Sequence, residues 1–306
     1  MALIPFLRLA GLGLGLGLTW GVGVEPRLLD RRDEIGWVPG LPAEWDGKRL
    51  ALLADPQVGL LLANVDTVRR AVGLVVRERP AVCLVAGDFV YNAARNPHSA
   101  VSQAVDAFRP LVRAGIPTYA VLGNHDYAEE ASGKVQTVAS AVCHSLGEAG
   151  IRVLHNQAVD LGAGLSLVGI GPYRVGEDRS REAFAEVREG APRLVLMHNP
   201  RSFAGLPSGS APLALAGHTH GGQIRMPFRP DWNLARLAKS WPAYADGWIE
   251  GYGQPGNRLY VNRGLGFSMI PVRIGCPPEV TFFTLRKLAA TPQAGASPDV
   301  GTGRGL

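Results

Sequence analysis

The sequence predicts an α/β fold with two mixed sheets and helices outside them. Two observations lead there. In the first half, short apolar runs alternate with segments of helical period, as strand–helix–strand units do. From about residue 150 the apolar runs follow one another closely, as hairpins do. Sequential units of the first kind build parallel sheet, and the hairpins add antiparallel strands.

The elements follow in order. "MALIPFLRLAGLGLGLGLTWGVGV" carries one charge, Arg8, and Leu9 to Val24 are 16 uncharged residues. As a helix they cover about 24 Å of a hydrocarbon core of about 30 Å, and the residues before Arg8 extend the span if that side chain snorkels. We read residues 1–24 as a single membrane anchor. A cleavable signal peptide is the rival, though no A-x-A-like site precedes "EPRLL". Arg27, Arg31 and Arg32 outnumber Arg8 and the amino terminus, which favours a cytoplasmic body over an extracytoplasmic one by a thin margin. Residues 25–47, rich in Pro, Gly and acid, read as a linker.

The body then runs from 48 to 288. "RLALLA" (49–54), "AVCLVA" (81–86) and "TYAVL" (118–122) read as strands. Between them lie a helix with Val65, Val68, Val72 and Val75 in register behind an Asn64 cap, and a second helix near 99–114. A third helix spans 134–149. "AVDLGAGLSLVGIG" (158–171) reads as a hairpin, and "RLVLMH", "PLALAG", "RLYVNR" and "EVTFFTL" as later strands. Residues 289–306 are small, polar and rich in Pro and Gly, the composition of a disordered tail.

Composition narrows the function classes. With 46% hydrophobic and 19% charged residues the body is globular, and no basic block or aromatic–basic ladder suggests nucleic-acid binding. Cys83, Cys143 and Cys276 form neither a disulfide framework nor a CxxC site. The arginine-dominated net charge of +5 suits phosphate-bearing substrates or an anionic membrane surface.

The chemistry gathers where strands end. Asp55 and Gln57 follow the first strand, Asp88 the second, and Asn124, His125 and Asp126 ("GNHDY") the third. His198 ("LMHNP") and then His218 and His220 ("AGHTHGGQ") follow later ones. Ligands of open α/β sheets collect beyond the carboxyl ends of strands. Each residue alone is ordinary turn or core material; five ends tipped with oxygen or nitrogen donors are not.

The ordered series D-x-Q, GD, GNHD, H and GHTH resembles the calcineurin-like metallophosphoesterases over residues 48–287, and "MHNP", "AGHTHGGQIRMP" and "LYVNRGLGFS" resemble a membrane-anchored bacterial branch. The resemblance implies a four-layer α/β/β/α sandwich and a two-metal phosphohydrolase. Asp55, Gln57 and His220 would hold the first ion. Asp88 would bridge both, and Asn124, His198 and His218 would complete the second. His125 would protonate the leaving oxygen or stabilise its charge, with Asp126 orienting it by a hydrogen bond, while a bridging hydroxide attacks phosphorus. Two carboxylates among seven donors leave a divalent pair net positive, as a phosphodiester or diphosphate requires.

Most of that family has histidine where this chain has Gln57. An amide oxygen suits manganese or magnesium better than zinc, so two divalent ions with manganese favoured are expected, iron, zinc and magnesium being the alternatives. Gln57 and His220 must then lie close enough to share an ion. Where many relatives carry another acid after GD, this chain has Tyr91 and Asn92, and a tuning of rate follows. Arg263 in "VNRGLG" is a candidate phosphate contact, an ordinary surface arginine being the other reading. The aromatic–basic segment 228–253 is either a flap beside the ions or a small satellite core. Some members of the branch act on lipid-linked diphosphates such as UDP-2,3-diacylglucosamine, which makes a phosphorylated lipid the leading substrate. The alternatives are a general phosphodiesterase acting on soluble nucleotides or headgroups, and a metal-poor phosphate-binding scaffold.

Overall fold

Six strands form each of two stacked sheets in the computed structural model, which describes residues 15, 17, 19–60, 64–91, 97–128, 136–226, 228–233 and 246–288. The first sheet contains β1 (Asp30–Pro39), β2 (Arg49–Leu53), β3 (Val82–Ala86), β4 (Thr118–Val121), β5 (Arg152–Val153) and β14 (Glu279–Leu288), in the spatial order β1-β14-β2-β3-β4-β5. The second contains β6 (Gln157–Asp160), β7 (Ser166–Ile170), β8 (Arg193–Met197), β9 (Ala214–Ala216), β12 (Gly247–Ile249) and β13 (Leu259–Val261), in the order β12-β13-β9-β8-β7-β6. A separate hairpin pairs β10 (Arg225–Met226) with β11 (Arg229–Asn233). Helices α1 (Val65–Glu78), α2 (Pro97–Arg113) and α3 (Gln136–Glu148) belong to the first half, and the short α4 (Ser180–Phe184) to the second.

The layers follow from strand alternation. In β2, Ala51 and Leu53 join Val68, Val72 and Val75 of α1 in one core, whereas Leu50 and Leu52 face the other way, into a core between the sheets. Leu194 and Leu196 of β8 meet them there, and Val195 and Met197 back onto a third core with Ala183 and Phe203. Strands buried on both faces read as unbroken apolar runs, which is why they were visible in the sequence. Two mixed sheets between two helical layers make the α/β/β/α sandwich.

Residues 25–47 are not a linker. They hold β1, a ten-residue edge strand in parallel register with β14 from Asp30↔Glu279 to Pro39↔Leu288. Its charged residues hide it from a hydropathy reading, yet they are what secures it. Arg31 bonds Glu78 of α1 at 2.7 Å, and Glu34 accepts from the Trp248 indole at 2.9 Å. Asn64 sits at the start of α1 but does not cap it. Its amide nitrogen donates instead to the carbonyls of Gln57 (2.9 Å) and Pro56 (3.3 Å), fixing the turn after β2.

The segment 289–306, residues 1–14 and residues 234–245 of the aromatic–basic segment lie outside the described residues. Among the described residues no helix is long and apolar enough to cross a membrane.

Candidate metal centre

Five strand ends deliver the seven candidate ligands to one place. Asp55 and Gln57 leave β2, Asp88 leaves β3, Asn124 leaves β4, His198 leaves β8, and His218 and His220 leave β9. All are buried or nearly so. Asp55, Gln57, Asp88, His218 and His220 all hold φ between +42° and +74°, a region that side chains other than glycine rarely occupy. Strain on that scale persists only where the surrounding structure over-determines it, and it clusters at functional sites. Close approach demands glycine next door: a Cβ on Gly217 would lie 2.6 Å from Asp55 Oδ2.

The carboxylate of Asp88 is central. Its Oδ2 lies 3.1 Å from Gln57 Nε2 and 3.3 Å from His198 Nε2, while its Oδ1 accepts from the backbone N–H of His125 at 2.9 Å. One oxygen therefore faces two groups of donors. On one side Gln57 Nε2 is 3.1 Å from His220 Nε2, which is 3.8 Å from Asp55 Oδ1. On the other, His198 Nε2 is 3.0 Å from His218 Nδ1, and Asp88, His198 and His218 together present ligand atoms within 4.8 Å of one another. His198 donates its Nδ1–H to the Ala86 carbonyl at 2.7 Å, which turns Nε2 towards Asp88. Asp55 accepts from the backbone N–H of His218 through both oxygens, at 2.9 and 3.1 Å.

Two observations fit this cage to cations. Gln57 Oε1 and Asn124 Oδ1 are buried without any hydrogen-bond partner, a costly condition that an ion relieves. A half-turn of the Gln57 amide exchanges its nitrogen for that oxygen. The electrostatics are equally unsatisfied. Burial, with the Asp88 charge adding to it, pushes the Asp55 carboxyl up to about 7. Burial would raise Asp88 too, but His198 beside it holds that carboxyl well below the usual carboxylate range. Burial drives His220 down to about 3 and His218 well below an ordinary imidazole, so both are neutral lone-pair donors. His198 resists its own burial, raised to about 9 by Asp88.

His125 stands at the rim, half-buried, on a single 3-10 turn after β4 (His125–Tyr127). Its ring stacks on Tyr91, centroids 4.9 Å apart and planes 28° apart. Asp126 does not orient it by a hydrogen bond. Its oxygens accept instead from the backbone N–H groups of Gly123 (2.9 Å) and Val90 (3.1 Å), clamping the β3 and β4 ends together. Burial, then the Asp88 charge, pushes its carboxyl up to about 7.

Arg263 is not a phosphate contact. It is 3% exposed, its Nε donates to Glu279 at 2.6 Å, and its guanidinium also pairs with Asp30 of β1. Replacing it with Ala leaves the buried Glu279 without its counter-charge, though Tyr260, Asn262 and Thr281 still donate to it. The expected loss is about 3–5 kcal/mol of stability, seen as a lower denaturant midpoint. A rise in KM with an unchanged midpoint would show the opposite. The sequence also hid Arg273, which carries no motif signal. Its fully buried guanidinium donates to the carbonyls of Gly266, Cys276 and Arg263, each at 2.9 Å. It thereby shapes the turn whose Leu265 and Gly266 N–H groups bond the Ala54 and Asp55 carbonyls at 2.9 and 2.8 Å.

Residues 48–222 match the calcineurin-like phosphoesterase family. Phosphodiesterase YaeI of Escherichia coli is 33% identical over 229 residues, 72% of this chain and 76% of the relative. The metallophosphoesterase YkuE of Bacillus subtilis is 23% identical, covering 92% of this chain and 93% of its own. UDP-2,3-diacylglucosamine pyrophosphatase LpxG of Chlamydia trachomatis is 25% identical, covering 86% and 91%. A solved dimetal phosphatase of Danio rerio superposes with a TM-score of 0.41 at 12% identity, covering 74% of this chain and 90% of that one. With a two-sheet sandwich whose strand ends converge on an Asp/His/amide cage, the chain belongs to the calcineurin-like phosphoesterase family of metal-dependent hydrolases.

Proposed function

We propose that the protein hydrolyses a phosphodiester or diphosphate bond in a lipid-linked substrate, using two divalent ions. The observation that carries the two-ion reading is the position of Asp88 Oδ2 between Gln57 and His198, with unpartnered amide oxygens on Gln57 and Asn124. Asp55, Gln57 and His220 would hold one ion, and Asn124, His198 and His218 the other, with Asp88 common to both. Two divalent ions bound there would supply positive charge for the phosphoryl oxygens and a water acidic enough to attack at neutral pH.

The chain's own groups do the rest. Ala86, by accepting from His198, keeps the ring aimed inward. Asn64 and the turn shaped by Arg273 fix the Asp55–Gln57 bend. His125, outside the cage and held flat by Tyr91, supplies a proton to the departing oxygen. The lipid part of the proposal rests on the apolar amino-terminal segment and on the likeness to LpxG.

Full-length protein in detergent, analysed for metal and then assayed on a diacylated sugar diphosphate and its deacylated counterpart, tests this. Faster turnover of the acylated form is expected. Equal turnover leaves a phosphoesterase of soluble nucleotides or headgroups. Gln57→His is expected to raise zinc uptake relative to manganese in competitive loading, because imidazole is the softer donor. An unchanged ratio would mean that Gln57 does not touch the ion.

A further inference from the structure

Twelve large apolar side chains stand exposed among the described residues, and seven of them come from three segments lying side by side. Trp20 and Val24 belong to the helical turn Trp20–Val24. Met226, Phe228 and Trp232 belong to the β10–β11 hairpin, and Met269 and Ile270 to the loop after Gly266. The strip Val272–Ile274 joins them. The Gly21 carbonyl accepts from Arg273 N at 2.9 Å, and a Cβ on Gly21 would sit 2.8 Å from Ile274. Ile274 bridges to Ile224, and Arg225 N donates to the Ile274 carbonyl at 2.8 Å. The Gln223 amide nitrogen donates to the Ser268 and Ile270 carbonyls at 3.1 and 2.9 Å. The three segments are therefore tied together, and they border the candidate metal ligands: Gln223 follows His220 by three residues.

We propose that this face rests on a lipid bilayer. Isolated exposed apolar residues are ordinary, whereas a contiguous patch marks an interaction surface. Its exposure is severe: Phe228 is 100% exposed, Met269 80% and Met226 55%. The occupant follows from the chain itself. The uncharged stretch that begins at Leu9 runs straight into Trp20 and Val24, so a bilayer receiving that stretch meets the body here. The chemistry agrees. Indoles settle at the headgroup level, and the Arg229 guanidinium lies 5.4 Å over the Trp232 ring. None of this depends on the proposed substrate.

The contact is also stiff. Glu25 is buried, and its Oε2 accepts from the Trp20 indole at 2.8 Å while its Oε1 accepts from the Cys276 N–H. The Cys276 thiol donates to the His220 carbonyl at 3.2 Å. One short relay thus links the membrane-side turn to the backbone of a metal-ligand residue, fixing how the centre is presented to lipid.

Site-directed spin labelling of the full chain in phosphatidylcholine–phosphatidylglycerol vesicles tests the orientation. Cys143→Ser removes the half-buried thiol, and Cys83 and Cys276 are buried. Nitroxides go at Phe228→Cys, Met269→Cys and, as a control, Glu189→Cys, exposed ahead of β8 at the end opposite His198. Labels at 228 and 269 are expected to gain accessibility to oxygen and lose it to a water-soluble nickel complex, with neither change at 189. Nickel accessibility at 228 and 269 equal to that at 189 overturns the proposal. So does shielding from both reagents, which would assign the face to a protein partner or a second copy. Hydrolysis is not read in this experiment, so its outcome and that of the substrate assay stay separate.

Discussion

Asp88→Asn is expected to remove bound metal and hydrolytic activity together. The substitution preserves shape, so the far-ultraviolet circular dichroism should hold. What changes is the one oxygen that faces both donor groups, 3.1 Å from Gln57 and 3.3 Å from His198. The amide has no charge, and if its nitrogen takes the Oδ2 position it points a donor at the Gln57 amide. Losing a group one layer further from an ion costs about 10–100-fold in affinity, so loss of a shared ligand should exceed the upper figure. Elemental analysis against protein concentration measures it. Metal content equal to the unsubstituted protein would show that Asp88 does not join the two sites.

His125→Ala is expected to do the reverse, keeping the metal and losing turnover. The His125 backbone N–H, which serves Asp88 Oδ1 at 2.9 Å, survives the substitution. The ring belongs to the rim and touches Tyr91 rather than the cage. General acid catalysis typically contributes about 10²–10⁴-fold, and kcat should fall within that span. The leaving group discriminates further. A nitrophenolate needs little protonation and an alkoxide needs much, so the loss should be far larger for an alkyl ester. Equal losses on both would make His125 a stabiliser of phosphoryl charge rather than a proton donor.

The seven candidate ligands stood out because each lies within four residues of the end of a buried strand, and such strands announce themselves as apolar runs. β1 was not. It is an edge strand with one face in water, and its sequence, Asp30-Arg31-Arg32-Asp33-Glu34, has the composition of a linker. Its pairing is dictated by β14, some 250 residues further on, and by partners such as Glu78 and Trp248 that no local window includes. Arg263 and Asp126 were misread for the same reason. Residue type and neighbourhood suggested a phosphate ligand and an orienting acid. The actual partners, Glu279 for one and two backbone N–H groups for the other, are set by tertiary placement. Arg273 had no sequence signal, since its acceptors are main-chain carbonyls that any residue supplies.

β14 is the last of the described strands in sequence, yet it lies between β1 and β2, the first two. A nascent chain stalled before Glu279 leaves that slot open, with β1 unattached and Arg263 lacking its Glu279 counter-charge. The Gly264–Gly266 bend that braces Asp55 is itself made late, and Glu279 N closes onto the Gly264 carbonyl at 3.2 Å. Domains often consolidate from the amino terminus during synthesis; this one is threaded shut at the finish. The bracing of the Asp55 bend is thereby complete only once β14 has joined the sheet.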